Sequence, residues 1–149
     1  MRVTTIVLSA WTVLANLGCE KSPAAGPAPI AAATPAGPHR QGFAAVMPMR
    51  LSDWQKERGP DATVLVDRLI PQKEGSPPPQ RRIVQQSGDL MGVEIIETGL
   101  QDDSVAAQKT LLELVRDAAS GQWSVSWAGQ QQQCQPNRGH SEWSAEPCL

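Results

Sequence analysis

Positive charge is scarce and nowhere concentrated: 13 Lys and Arg stand against 15 Asp and Glu in 149 residues, and the only adjacent basic pair is Arg81-Arg82. Nucleic-acid binding draws on counterions released by a stripe of Lys and Arg, so that class is excluded, and a polybasic membrane patch is excluded for the same reason. Histidine is nearly absent, with only His39 and His140, and the 13 residues between Cys134 and Cys148 are not a zinc-finger spacing. No metal site is expected. No Gly-rich phosphate loop occurs either, because the 12 glycines fall at isolated turn positions, and no cofactor is expected. The longest mostly apolar stretch, residues 4–18, is too short to span a bilayer comfortably.

What is present begins at the N-terminus. Met1-Arg2 places one positive charge before "TTIVLSAWTVLANLG", and small residues precede Cys19, which is the three-part layout of a secretory signal. The stretch resembles a bacterial lipoprotein signal, in which a short hydrophobic and small-residue motif precedes a cysteine that is lipidated and becomes the first mature residue. Gly18 and Cys19 fit that motif. Asn16 departs from it, since the family usually has Leu three positions before the cysteine and here Leu17 sits one position later. The resemblance implies a signal peptide over residues 1–18, a lipid such as palmitate on Cys19, and a membrane partner reached through that lipid. It also implies export to the cell envelope, on the periplasmic or extracellular side. Plain secretion and an uncleaved anchor are the alternatives. Small residues at 31–33 lie far from the apolar stretch for the first, and the second needs a longer run. All three readings put the body of the chain outside the cytoplasm.

Three cysteines are an odd count, which in a secreted protein raises the question of a free thiol. Lipidation of Cys19 removes the oddness and leaves Cys134 and Cys148 as a pair, in a chain exported to where disulfides persist.

Residues 22–38 are 14 of 17 Ala, Pro or Gly; their five prolines forbid a continuous helix, so residues 19–48 are expected to form an extended, disordered tether. Residues 49–149 are then one small domain, with order beginning near Leu51. "LSDWQKERGPD" has Ser52 as N-cap and Gly59-Pro60 as a stop, which predicts a short helix carrying Trp54. "ATVLVDRLI" is dense in β-branched residues and predicts a strand, with a helix capped by Asp61 as its rival. "PQKEGSPPPQ" is a loop, and "RRIVQQ" and "LMGVEIIET" flank the turn "SGD" as an antiparallel pair. Residues 104–120 read either as a helix capped by Asp103 or Ser104 or as a strand. The strand is preferred, because the alternating "QWSVSWAG" that follows needs a partner across a short connector. In that strand Trp123, Val125 and Trp127 are expected on one face. Glutamines 130–133 continue it as a solvated strand end.

The C-terminal "CQPNRGHSEWSAEPC" holds one large apolar residue, Trp143, expected to pack back on the sheet near Trp123 and Trp127. A loop this polar needs the Cys134–Cys148 bond to stay closed. "DDSVAA", "WSVSWAG" and "C…RGHSEWS…C", within roughly the last 50 positions, resemble the tail of a group of small exported bacterial proteins. That resemblance implies a shared small domain and no activity. Ser141 or Ser144 with His140 and Glu142 can be written as a triad, but neighbours so close in sequence rarely converge, so no catalytic residue is assigned, and Arg138-Gly139-His140 is expected to form a turn whose side chains hydrogen-bond nearby carbonyls. Arg138, His140 and Trp143 are the candidate binding residues.

The expected fold is α+β: a small, predominantly antiparallel sheet with a short N-terminal helix and a disulfide-closed C-terminal loop. The expected function is a non-enzymatic envelope module for binding or structure, with an envelope protein as partner. The alternative is a secreted inhibitor or ligand-binding domain that uses the disulfide loop.

Overall fold

In a computed structural model, the described residues are 38–149. The signal, Cys19 and most of the expected tether lie outside them. After a single 3-10 turn at Pro38–Arg40 come strand β1 (Ala44–Ala45), helices α1 (Pro48–Lys56) and α2 (Ala62–Leu69), and four longer strands. These are β2 (Gln80–Ser87), β3 (Leu90–Thr98), β4 (Val105–Arg116) and β5 (Trp123–Cys134). All pairings are antiparallel, in the order β1-β5-β4-β3-β2. No helix among the described residues is long and apolar enough to cross a membrane.

Helix α1 buries Trp54 but starts a turn earlier than Ser52, with Pro48 in its first turn, where a missing N–H costs nothing. The expected strand "ATVLVDRLI" is α2, and the periodicity explains why. Ala62, Leu65 and Val66 are buried with Leu69 packed beside them, a three-four spacing that no strand can turn to one side. Asp61 completes the helix by accepting the N–H groups of Thr63 at 2.8 Å and Val64 at 3.0 Å. The Thr63 hydroxyl, followed by the Val64 N–H, holds the Asp61 carboxyl below its ordinary pKa. A depressed folded-state pKa stabilises above the unfolded value and is lost as pH falls through the depressed one. Asp61→Ala should therefore lower the melting temperature by a few degrees at neutral pH, and the gap to wild type should close on acidification below about pH 4.

The β2–β3 hairpin closes through Gly88-Asp89, with Ser87 opposite Leu90 and Gly88 at φ +54°, a conformation glycine reaches without strain. Residues 105–116 are strand, as preferred. The acceptor expected of a helix cap exists one residue earlier, since Asp102 takes the N–H groups of Ser104 and Val105, but the chain leaves that turn extended.

On the helix-covered face, Val93, Leu112 and Ala128 lie across from one another, as do Met91, Leu114 and Val125. Folded structure also extends upstream of the expected tether boundary at residue 48. Val46 is in this core and donates its N–H to Ala128, while β1 pairs with Gly129 and Gln130. The partners that hold this segment lie some 85 residues away in β5, so its composition alone reads as tether.

The register slips between Glu113 and Leu114, so Val125 opposes Leu114 and Trp127 opposes Glu113, leaving Ser126 bulged. Trp127 thereby leaves the face of Trp123 and Val125 and joins Glu113 on the other side. The expected stripe of three residues is corrected at this point.

Candidate functional site

The C-terminal loop folds onto the end of β5. Gln132 and Ser144 form an isolated bridge, and Cys134 accepts closure from Cys148 through a disulfide with the Cα atoms 5.5 Å apart. Within the loop, His140 Nδ1 lies 2.9 Å from the Glu142 carbonyl and Nε2 lies 2.9 Å from the Glu146 carbonyl. Both partners only accept, and a neutral imidazole donates from one nitrogen, so this geometry belongs to the imidazolium. The Glu146 carbonyl, then the Glu142 carbonyl and the Glu146 charge, raise the His140 pKa.

A raised folded-state pKa stabilises fully below the unfolded value, about 6.5, and its contribution is lost as pH rises through the folded value. Melting curves should show wild type losing stability relative to His140→Leu as pH rises above about 6.5. A constant gap across that range would contradict the clamp.

The three candidate binding residues thus have separate environments. Arg138 is exposed, and its backbone carbonyl accepts the N–H of Leu149 at 2.7 Å. His140 is turned into its own loop. Trp143 is half-buried with Lys109 Nζ 4.4 Å above its ring, so it reaches the sheet at β4 rather than at Trp123 or Trp127. Neither ring nitrogen of His140 faces the hydroxyl of Ser141 or Ser144, because carbonyls occupy both. The donor atoms of Cys134, His140 and Cys148 lie within 4.8 Å of one another, the spacing of a metal site, but the sulfurs are bonded to each other.

Compared with protein-family models, curated proteins and solved structures, the chain matches none. Its functional reading therefore stands on its own residues.

Two side-chain groupings escaped the sequence reading. On the open face of the sheet, Arg40 donates to both carboxylate oxygens of Glu113, with Nε to Oε1 at 2.7 Å, and lies 4.6 Å from the centre of the Trp127 ring. Beside it Glu94 receives Arg82 at 3.0 Å and Lys109 at 4.0 Å. The second grouping lies on the helix side, where the apolar face ends. There Glu97, Gln108 and Gln132 sit across from one another on three strands, with Thr110 opposite Gln130 in the next row. Alternation in "QKTLLEL" places Gln108 and Thr110 on the face of Leu112 and Leu114, so this row was legible once residues 105–116 were taken as strand. The Arg40 contact had no such signal, since 73 residues separate its partners.

Proposed function

We propose that this chain is an exported bacterial lipoprotein: lipid on Cys19, an Ala/Pro-rich tether, and a small disulfide-closed domain held outside the membrane as a non-enzymatic module for binding or structure. One observation carries the reading. Cys134 and Cys148 are bonded to each other, which accounts for two of the three cysteines and leaves Cys19 directly after the apolar leader. A disulfide of this kind suits an oxidising compartment outside the cytoplasm. The envelope partner is a protein within reach of the tether, which at roughly 3 Å per residue in its Pro-rich part spans several tens of Å.

Labelled palmitate is expected on the wild-type protein expressed in a bacterial host and is expected to vanish in Cys19→Ser, with the protein moving from the membrane to the soluble envelope fraction. Label retained in the variant would refute lipidation at this residue.

A secreted inhibitor or ligand-binding role for the disulfide loop is the second reading, favoured by the exposure of Arg138 beside a loop that is clamped by its own histidine. Under it, Arg138→Ala abolishes capture of an envelope partner without lowering the melting temperature. Equal capture by the variant removes this reading.

A further inference from the structure

Only half of the helix-facing side of the sheet behaves as a core. Along β5 it passes from Val125 and Ala128 to Gln130 and Gln132, along β4 from Leu114 and Leu112 to Thr110 and Gln108, and along β3 from Ile95 to Glu97. β4 and β5 change from apolar to polar at the level of Thr110 and Gln130, and β3 follows one row later at Glu97. At that level two cavities open, of about 180 Å³ and about 400 Å³, and Gln108 lines both.

Most polar groups of this floor are already engaged. Glu97 is buried and paired with Lys73 at 3.0 Å, Gln132 Nε2 donates to the Glu146 carbonyl at 2.9 Å, and Gln108 Nε2 lies 3.4 Å from the Thr110 hydroxyl. Gln130 is the exception. Its Nε2 is buried and has no hydrogen-bond partner among the described residues, and the side chain lines the smaller cavity. An unsatisfied buried donor costs about 1–3 kcal/mol, so a side chain of this kind is expected to have an acceptor to meet.

The walls define that acceptor. No charged side chain lines the smaller cavity, so nothing there compensates a buried anion. No aromatic ring lines it, so it offers no stacking surface to a sugar. What remains is apolar groups such as Ala44, Ala45 and Pro147 set among uncharged polar ones, Ser144 and the glutamines 108 and 130–132, a mixture that suits a main chain bearing small side chains. We propose that this cavity binds a peptide segment of small residues, with a main-chain carbonyl accepting from Gln130 Nε2, an aliphatic side chain between Ala45 and Pro147, and the chain continuing over Gln108 into the larger cavity. The proposal deepens the binding-module reading and rests on it.

The test is a titration of the isotope-labelled full chain carrying Cys19→Ser, following the side-chain amide resonances of Gln108 and Gln130 by NMR. The probes are acetyl-trialanine amide and, separately, a trimer of N-acetylglucosamine. Saturable shifts of both amides are expected with the peptide, and binding about tenfold weaker in Gln130→Leu, whose melting temperature is unchanged or higher because a buried unsatisfied donor has been removed. Four results overturn the proposal: no shift at millimolar peptide, response to the saccharide alone, undiminished binding by Gln130→Leu, or a lowered melting temperature in that variant. None of these touches the palmitate result or partner capture by the intact protein, so the broader reading stands or falls separately.

Discussion

Replacing Cys134 and Cys148 together by serine is expected to lower the stability of the domain by about 3 kcal/mol, the chain-entropy value for a loop of about 15 residues. The loop between them has little else to hold it. Trp143 is its one large apolar residue, and its hydrogen bonds to the rest of the domain are few: Ser144 with Gln132, the His140 carbonyl with the Cys134 N–H, the Gln135 N–H with the Ser104 carbonyl, and Gln132 Nε2 with the Glu146 carbonyl. Cys134 is itself buried at the end of β5, so loosening the loop also exposes the strand end that pairs with β4 at Val105. For a domain whose total stability is of order 5–15 kcal/mol this loss is large, and it should appear as a drop in denaturation midpoint on reduction of the wild-type protein as well as in the double variant. If the wild type unfolds at the same denaturant concentration with and without reductant, the bond does not carry this load.

The second large effect is expected at Glu113. Its side chain and that of Arg40 are only 14% and 17% exposed, they meet through two parallel hydrogen bonds, and the guanidinium lies against Trp127. Glu113→Ala leaves Arg40 without its partner in a half-dry site. The cost should be about 2 kcal/mol, below the 3–5 kcal/mol of fully buried pairs because both groups keep some contact with water. A double-mutant cycle with Arg40→Ala separates pairing from packing: the double variant should be less unstable than the sum of the single changes. Additivity in that cycle would show that the two side chains act independently.

The same cluster explains Gly129. A Cβ there would lie 2.2 Å from the Trp127 ring, so the indole folds along its own strand and rests over the position two residues on. Glycine is present for close approach, and the neighbouring Leu111, directly across on β4, is thereby buried on a face that no helix covers. Trp127 covers the sheet on one side of the bulge while Trp123 packs against the core on the other.

Alternation and the "SGD" turn identified the β2–β3 hairpin, because side-chain period and loop length are local properties. The need of "QWSVSWAG" for a neighbour correctly favoured an extended 105–116 over a capped helix. Residues 62–69 have the β-branched composition of a strand but the spacing of a helix; Ala62, Leu65, Val66 and Leu69 carry the helical period, and Asp61 stands where a cap should be. At the candidate site, the bonding of Cys134 to Cys148 and a His140 that meets nearby carbonyls follow the reading of the tail, whereas which carbonyls it meets, those of Glu142 and Glu146, depends on how the loop folds.

By itself the sequence determined the strand and turn periods of the C-terminal half and the cysteine pair available to close its tail. Its composition also showed positive charge spread thinly, with Arg81-Arg82 as the only adjacent basic pair. Only the tertiary structure decided which way those strands face. One bulged residue at Ser126 moves Trp127 to the opposite side of the sheet, where Arg40 and Glu113 receive it. A bulge is stabilised by partners distant in the chain, so no local period can announce it.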